Sequence, residues 1–151
     1  MRSKSGYLTW LYDFLRFDIL VECPQCSKKA FVKISKPIFS QKKPEIKLVC
    51  INCGFNKYLP TQKGIVYSLG VPFDPFFQIP LWLTKPYQKN IVWAYNGEHL
   101  SFLKEHIAAP LRERNRQAFF NKSLASRLPK WMTSAKNRKD ILKCIDDLEQ
   151  K

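Results

Sequence analysis

The sequence predicts an α+β fold: β-hairpins, the first of them pinned by cysteines, followed by a C-terminal helical region. Three observations carry this. Two Cys-x-x-Cys pairs, Cys23 with Cys26 and Cys50 with Cys53, bracket a hairpin's worth of chain. Short apolar or alternating runs of strand length recur between residues 30 and 95. Beyond residue 96 the apolar spacing changes to the three-and-four rhythm of helices. The 151 residues are 45% hydrophobic and 14% aromatic, which suffices for a packed core and argues against wholesale disorder.

Tyr7, Trp10, Leu11, Phe14 and Leu15 form one apolar stripe, so residues 1–21 read as a short aromatic helix packed onto the rest. Residues 22–70 read as a cysteine-pinned ribbon. Its strands are Ala30 to Ile34 and Ile46 to Val49, with Phe55 to Leu59 returning as a third and Gly64 to Leu69 as a further candidate. Two prolines, Pro37 and Pro44, mark the loop between the first two strands. Val71 to Pro75 is a turn and the best linker candidate.

Residues 71–151 read as a second hairpin and the helical region. Leu81 to Leu83 and Ile91 to Tyr95 are its strands, with Lys85 to Asn90 as the loop and Trp82 and Trp93 as packing residues. Asn96 is a good helix N-cap, and Leu100, Leu103, Ile107 and Leu111 share one helical face, ended near Pro110. A second helical stretch runs from Ser123 to Leu128, stopped by Pro129. A third starts near Ala135, with Ile141, Cys144, Ile145 and Leu148 as its stripe.

The four paired cysteines carry the strongest chemistry. A Cys-x-x-Cys turn sets two thiolates on one side of a tight knuckle, and two knuckles supply four sulfurs in a tetrahedron. Cys23, Cys26, Cys50 and Cys53 are therefore candidate ligands of a structural Zn²⁺, with iron as the competing metal for the same thiolates. Gly54, just after Cys53, suits a knuckle because glycine takes a positive φ freely; Ser27, the equivalent residue after Cys26, suits it less well. Cys144, on a helical stripe, reads as a small buried hydrophobe.

There are 26 Lys+Arg against 12 Asp+Glu, a formal net charge of +14. The surplus is clustered. Residues 27–60 hold eight lysines and one acid, and residues 111–143 hold ten cations and two acids. A tetrathiolate zinc centre offsets about two of these charges. The remainder favours a polyanionic partner, with nucleic acid, DNA or RNA, foremost. Lys28, Lys29, Lys42, Lys43, Lys130, Lys136, Arg138 and Lys139 are the candidate phosphate contacts, and Trp131 is available for stacking if exposed. A protein–protein adaptor is the rival reading, with Phe76 and Phe77 as its exposed aromatics.

Catalysis finds little support. His99 and His106 each follow a glutamate and lie about 10 Å apart along a helix, too far for one metal to bridge, so they read as surface imidazoles. No phosphate loop or nucleophile–base pair is visible. Tyr7 to Val21, the longest membrane-span candidate, is broken by Asp13, Arg16 and Asp18 and is too short. It is no signal peptide either, so a reducing cytoplasm is the expected compartment.

The knuckles Cys23-Pro24-Gln25-Cys26 and Cys50-Ile51-Asn52-Cys53-Gly54 resemble those of the zinc ribbons named after the general transcription factor IIB. That resemblance covers about residues 22–60. The remainder resembles small bacterial zinc-ribbon-containing proteins. It does so in Leu81-Trp82-Leu83, in Trp93 to Asn96 with Glu98-His99-Leu100, and in Ser123 to Met132 with Ala135 to Arg138. The resemblance implies a bacterial source and a metal site, and leaves the function open.

Overall fold

The computed structural model describes residues 14–15, 17–34, 45–59, 69–108 and 128–151. Among the described residues, six strands and three helices follow in order. They are β1 (Ile19–Glu22), β2 (Lys29–Ile34), β3 (Ile46–Val49), β4 (Asn56–Leu59), β5 (Leu83–Tyr87), β6 (Asn90–Ala94), α1 (Gly97–Ala108), α2 (Lys130–Thr133) and α3 (Arg138–Glu149). The protein is α+β, as its sequence predicts.

β1 to β4 form one antiparallel sheet in sequential order. Alternation sorts its two faces. Ile19, Val21, Ala30, Val32, Ile46 and Leu48 point to one side and are buried, and they build a first core with Phe14, Leu15, Phe76, Leu81 and Tyr95. Each aliphatic side chain buried there contributes about 1.5–3 kcal/mol. β4 is an exposed edge and carries Lys57, a common guard against unwanted strand pairing. The outer edge of β1 is covered. The Leu20 N–H donates to the Tyr95 carbonyl (2.8 Å), the Trp82 N–H to the Leu20 carbonyl (2.9 Å) and the Glu22 N–H to the Pro80 carbonyl (3.0 Å). β1 thus joins the ribbon to the second half, and the expected boundary between residues 21 and 22 falls inside this strand.

The second core lies between the β5–β6 hairpin and the helices. Leu83, Val92 and Ala94 meet Leu100, Leu103 and Ile107 of α1 and Ile141, Cys144, Ile145 and Leu148 of α3. The stripe expected on the last helix is the one buried. Asn96 caps α1 as expected: its Oδ1 accepts the His99 N–H at 2.9 Å, and its Nδ2 donates to the Phe14 carbonyl.

Three expectations need correction. The second hairpin is shifted: β5 begins at Leu83 and runs through Lys85-Pro86-Tyr87, leaving only Gln88 and Lys89 as the turn. Pro86 is tolerated because a two-stranded sheet is all edge, and Gln88 takes the positive φ of 53° that such a turn needs. Val71 to Pro75 is a turn but no free linker. Asp74, Pro75 and Phe76 are buried, and the Asp74 carboxylate accepts the N–H groups of Phe76, Phe77 and Ile79 at 2.8–3.0 Å. Pro129, expected to stop a stretch that lies outside the described residues up to residue 127, is the N-cap residue of the single turn α2. His99 and His106, expected at the surface, are 2% and 7% exposed.

Most of the expected N-terminal helix, the Gly64 to Leu69 strand up to residue 68, Leu111 and the Ser123 to Leu128 stretch up to residue 127 lie outside the described residues. Among the described residues, no helix is long and apolar enough to cross a membrane.

Candidate metal centre

Each knuckle is built by the same local bonds. At the first, the Cys23 N–H donates to the Lys28 carbonyl (2.8 Å) and the Ser27 N–H to the Cys23 carbonyl (2.9 Å). At the second, the Cys50 N–H donates to the Phe55 carbonyl (2.8 Å) and the Gly54 N–H to the Cys50 carbonyl (2.9 Å). Both turns close through a left-handed residue, Ser27 at φ 65° and Gly54 at φ 81°. Ser27 therefore adopts a conformation that serine suits poorly. Replacing it by glycine is expected to stabilise the fold by up to about 1 kcal/mol. Gly54→Ala is expected to cost about 1 kcal/mol from backbone strain alone, since a Cβ there meets nothing within 4 Å. Chemical denaturation of the two variants measures both effects.

β2 and β3, paired antiparallel, carry the knuckles at neighbouring ends and bring their thiols together. All four Sγ atoms lie within 4.8 Å of one another. Cys23 Sγ is 3.6 Å from Cys53 Sγ, and Cys26 Sγ is 3.5 Å from Cys50 Sγ. A tetrahedron with metal–sulfur bonds of about 2.3 Å has edges of about 3.8 Å, so the cluster has the size such a cage requires. Cys23 and Cys50 are 1% exposed while Cys26 and Cys53 are half-buried, which puts the cage at the rim of the first core. The four cysteines are free thiols, as is Cys144.

Hydrogen bonds to sulfur orient the ligands. The N–H groups of Gln25 and Cys26 both approach Cys23 Sγ at 3.4 Å. The Asn52 side-chain amide donates to Cys26 Sγ at 3.4 Å, joining one knuckle to the other. Sequence reasoning missed Asn52, although a side-chain donor between two paired cysteines is a visible signal. The Asn52 amide and the Lys28 N–H hold the Cys26 thiol down to about 6. The Phe55 N–H pulls the Cys53 thiol down, but burial and the neighbouring sulfurs outweigh it and push it up to about 12. Four thiols this close do not all ionise without a cation among them. The donor set is thus suited to a divalent metal, which would supply that charge and crosslink the two hairpin ends. Four protein ligands leave no open position for a substrate.

The candidate phosphate contacts fall in two places. Lys28 is exposed beside the first knuckle and Lys29 is half-buried at the start of β2. Lys130 opens α2, Lys136 lies in the turn before α3, and Lys139 lies in its first turn; all three are exposed. Arg138 is half-buried, and its enclosed Nε has no hydrogen-bond partner among the described residues. Lys42 and Lys43 lie outside the described residues. Trp131 is half-buried and stacks on Tyr87, with ring centroids 6.0 Å apart, so this ring is already partnered. Phe76 is buried and Phe77 packs half-buried on the first core, so these two are not the exposed aromatics expected of an adaptor. Cys144 is buried in the second core, and its thiol is raised by that burial, in keeping with a packing role.

No family model, no curated protein and no solved structure matches this chain.

Proposed function

We propose that the chain is a non-enzymatic zinc-ribbon protein that binds nucleic acid, its Zn²⁺ being structural. The observation that carries the reading is the tetrathiol cage of Cys23, Cys26, Cys50 and Cys53, with all sulfurs within 4.8 Å. Zinc is the preferred ion because it takes four thiolates in a tetrahedron without redox chemistry. The metal would hold two hairpin ends rigid, and the surplus of +14 supplies the attraction for a polyanion.

The reading has a salt signature. With about four phosphates neutralised, counterion release makes the affinity fall about a hundredfold between roughly 50 and 200 mM salt. Fluorescence anisotropy of a labelled oligonucleotide titrated with the zinc-loaded protein measures this. Affinity that ignores salt, or no binding to single-stranded or duplex DNA or RNA, contradicts the reading. A protein adaptor has Ile51 in its favour, 78% exposed at the second knuckle. Phe17, Tyr58, Val71, Phe73 and Ile91 are exposed as well, but singly exposed apolar side chains are ordinary surface, so this reading stands second.

A further inference from the structure

Strand register places a set of side chains on the outer face of the β1–β4 sheet that no sequence motif announces. Directly paired residues share a face. Phe31 lies opposite Val49 and Leu20, Lys33 opposite Lys47, and Lys47 opposite Tyr58. Their neighbours Ala30, Val32 and Leu48 point the other way, into the first core. The outer face therefore carries two aromatic rings, Phe31 and Tyr58, among Lys29, Lys33 and Lys47.

Neither ring belongs to a described core. Tyr58 is 59% exposed and Phe31 half-buried. Each has a lysine ammonium over it: Lys33 Nζ is 5.5 Å from the Phe31 centroid, and Lys47 Nζ is 5.1 Å from the Tyr58 centroid. Two strands and two residues separate the rings, a span of about 12 Å. Three acids border this face among the described residues, and one of them, the exposed Glu45, stands just before β3, two residues from Lys47. Glu22 lies opposite Lys29, and Asp18 pairs with Lys33 at 2.7 Å in an exposed contact of little strength. β3 and β4 contain no acidic residue.

An antiparallel sheet face with spaced aromatics and adjacent cations matches one ligand chemistry. Unpaired bases offer π-faces to the rings while their phosphates meet the ammonium groups. A duplex keeps its bases stacked on one another and gives the rings nothing to hold. We propose that this face binds single-stranded nucleic acid, with Phe31 and Tyr58 stacking bases and Lys29, Lys33 and Lys47 meeting phosphates. The inference rests on the nucleic-acid reading above and assigns that reading a strand type and a surface. The metal cage lies at the end of the same β2–β3 hairpin and would keep the platform in register.

The test uses the full zinc-loaded chain and a fluorescein-labelled 12-nucleotide oligothymidylate, with a 12-base-pair duplex beside it. The expected result is tighter binding of the single strand. Tyr58→Ala and Phe31→Ala are each expected to weaken that binding about tenfold or more, with Tyr58→Phe restoring it. Tyr58 is an exposed edge-strand residue, so its variant keeps the inference testable if Phe31→Ala impairs folding. Unchanged single-strand affinity in Tyr58→Ala, or a preference for the duplex, overturns the platform while leaving the nucleic-acid reading standing. No binding of either oligonucleotide, or of its RNA counterpart, by the wild-type chain overturns both.

Discussion

Cys50→Ser is expected to release the metal and unfold the ribbon sheet. Cys50 is 1% exposed, and its sulfur lies 3.5 Å from that of Cys26. Structural zinc in small ribbons carries about 10–16 kcal/mol of binding free energy, which is folding free energy for the segment that holds it. The first core is thin, being one sheet face closed by Phe14, Leu15, Phe76, Leu81 and Tyr95, and its two central strands are tied at one end by the knuckles. Without the metal, strand signal in far-ultraviolet circular dichroism and protection of the Val32 and Leu48 amides from hydrogen exchange are both expected to fall. The second core is built from different residues, so the helical signal of α1 and α3 should persist. Cys144→Ser serves as the control, because that cysteine lies outside the cage, and it should keep its metal. Full amide protection in Cys50→Ser would contradict a structural role for the metal.

The second large effect is a dependence of stability on acid, set by His99. The ring is 2% exposed, stacked on Phe14 at 4.7 Å and edge-on to Trp93, with Tyr95 beside it at 5.5 Å. Its Nδ1 accepts the Tyr95 N–H at 3.0 Å, which leaves the proton of the neutral ring on Nε2. Burial lowers its pKa from 6.5 to about 3. Tyr95, the titratable neighbour, is raised to about 12 by the same burial and stays neutral. The folded chain thus keeps His99 neutral at pH values where the unfolded chain protonates it. Stability from this residue is fully present above about pH 6.5 and is lost as pH falls towards 3. The loss is about 2 kcal/mol at pH 5 and about 3 kcal/mol at pH 4. Metal release in acid adds its own loss, so the measurement is a comparison. His99→Asn keeps an acceptor at the δ position but does not titrate. Urea unfolding of both chains between pH 7 and 4 should give a slope shallower by one proton in the variant. Equal slopes would contradict the assignment.

The sequence makes some of these features visible and hides others for physical reasons. The cysteine cage was legible because metal geometry constrains spacing within each knuckle, whatever the rest of the fold does. β3, the Asn96 cap and the stripe of α3 were legible because they depend on neighbours three or four residues away, or on strict alternation. β5 was hidden by Pro86, which reads as a breaker and is harmless at an edge. The histidines were hidden by Glu98 and Glu105 beside them. Those acids are exposed while the rings turn in, and only packing decides that: His99 against Phe14 and Trp93, His106 against Phe102. Phe76 was hidden in the same way, since the buried Asp74 turn folds it into the first core. The aromatic and lysine platform needed the register of three strands. Its only local trace is that Lys29, Phe31 and Lys33 alternate with Ala30 and Val32.

X-ray absorption at the zinc edge of the purified full chain decides whether the cysteine cage is a structural zinc site. One zinc per chain, surrounded by four sulfur atoms at about 2.3 Å, is the expected result. Nitrogen or oxygen atoms in that inner shell, iron in place of zinc, or less than one metal for the four cysteines would contradict it.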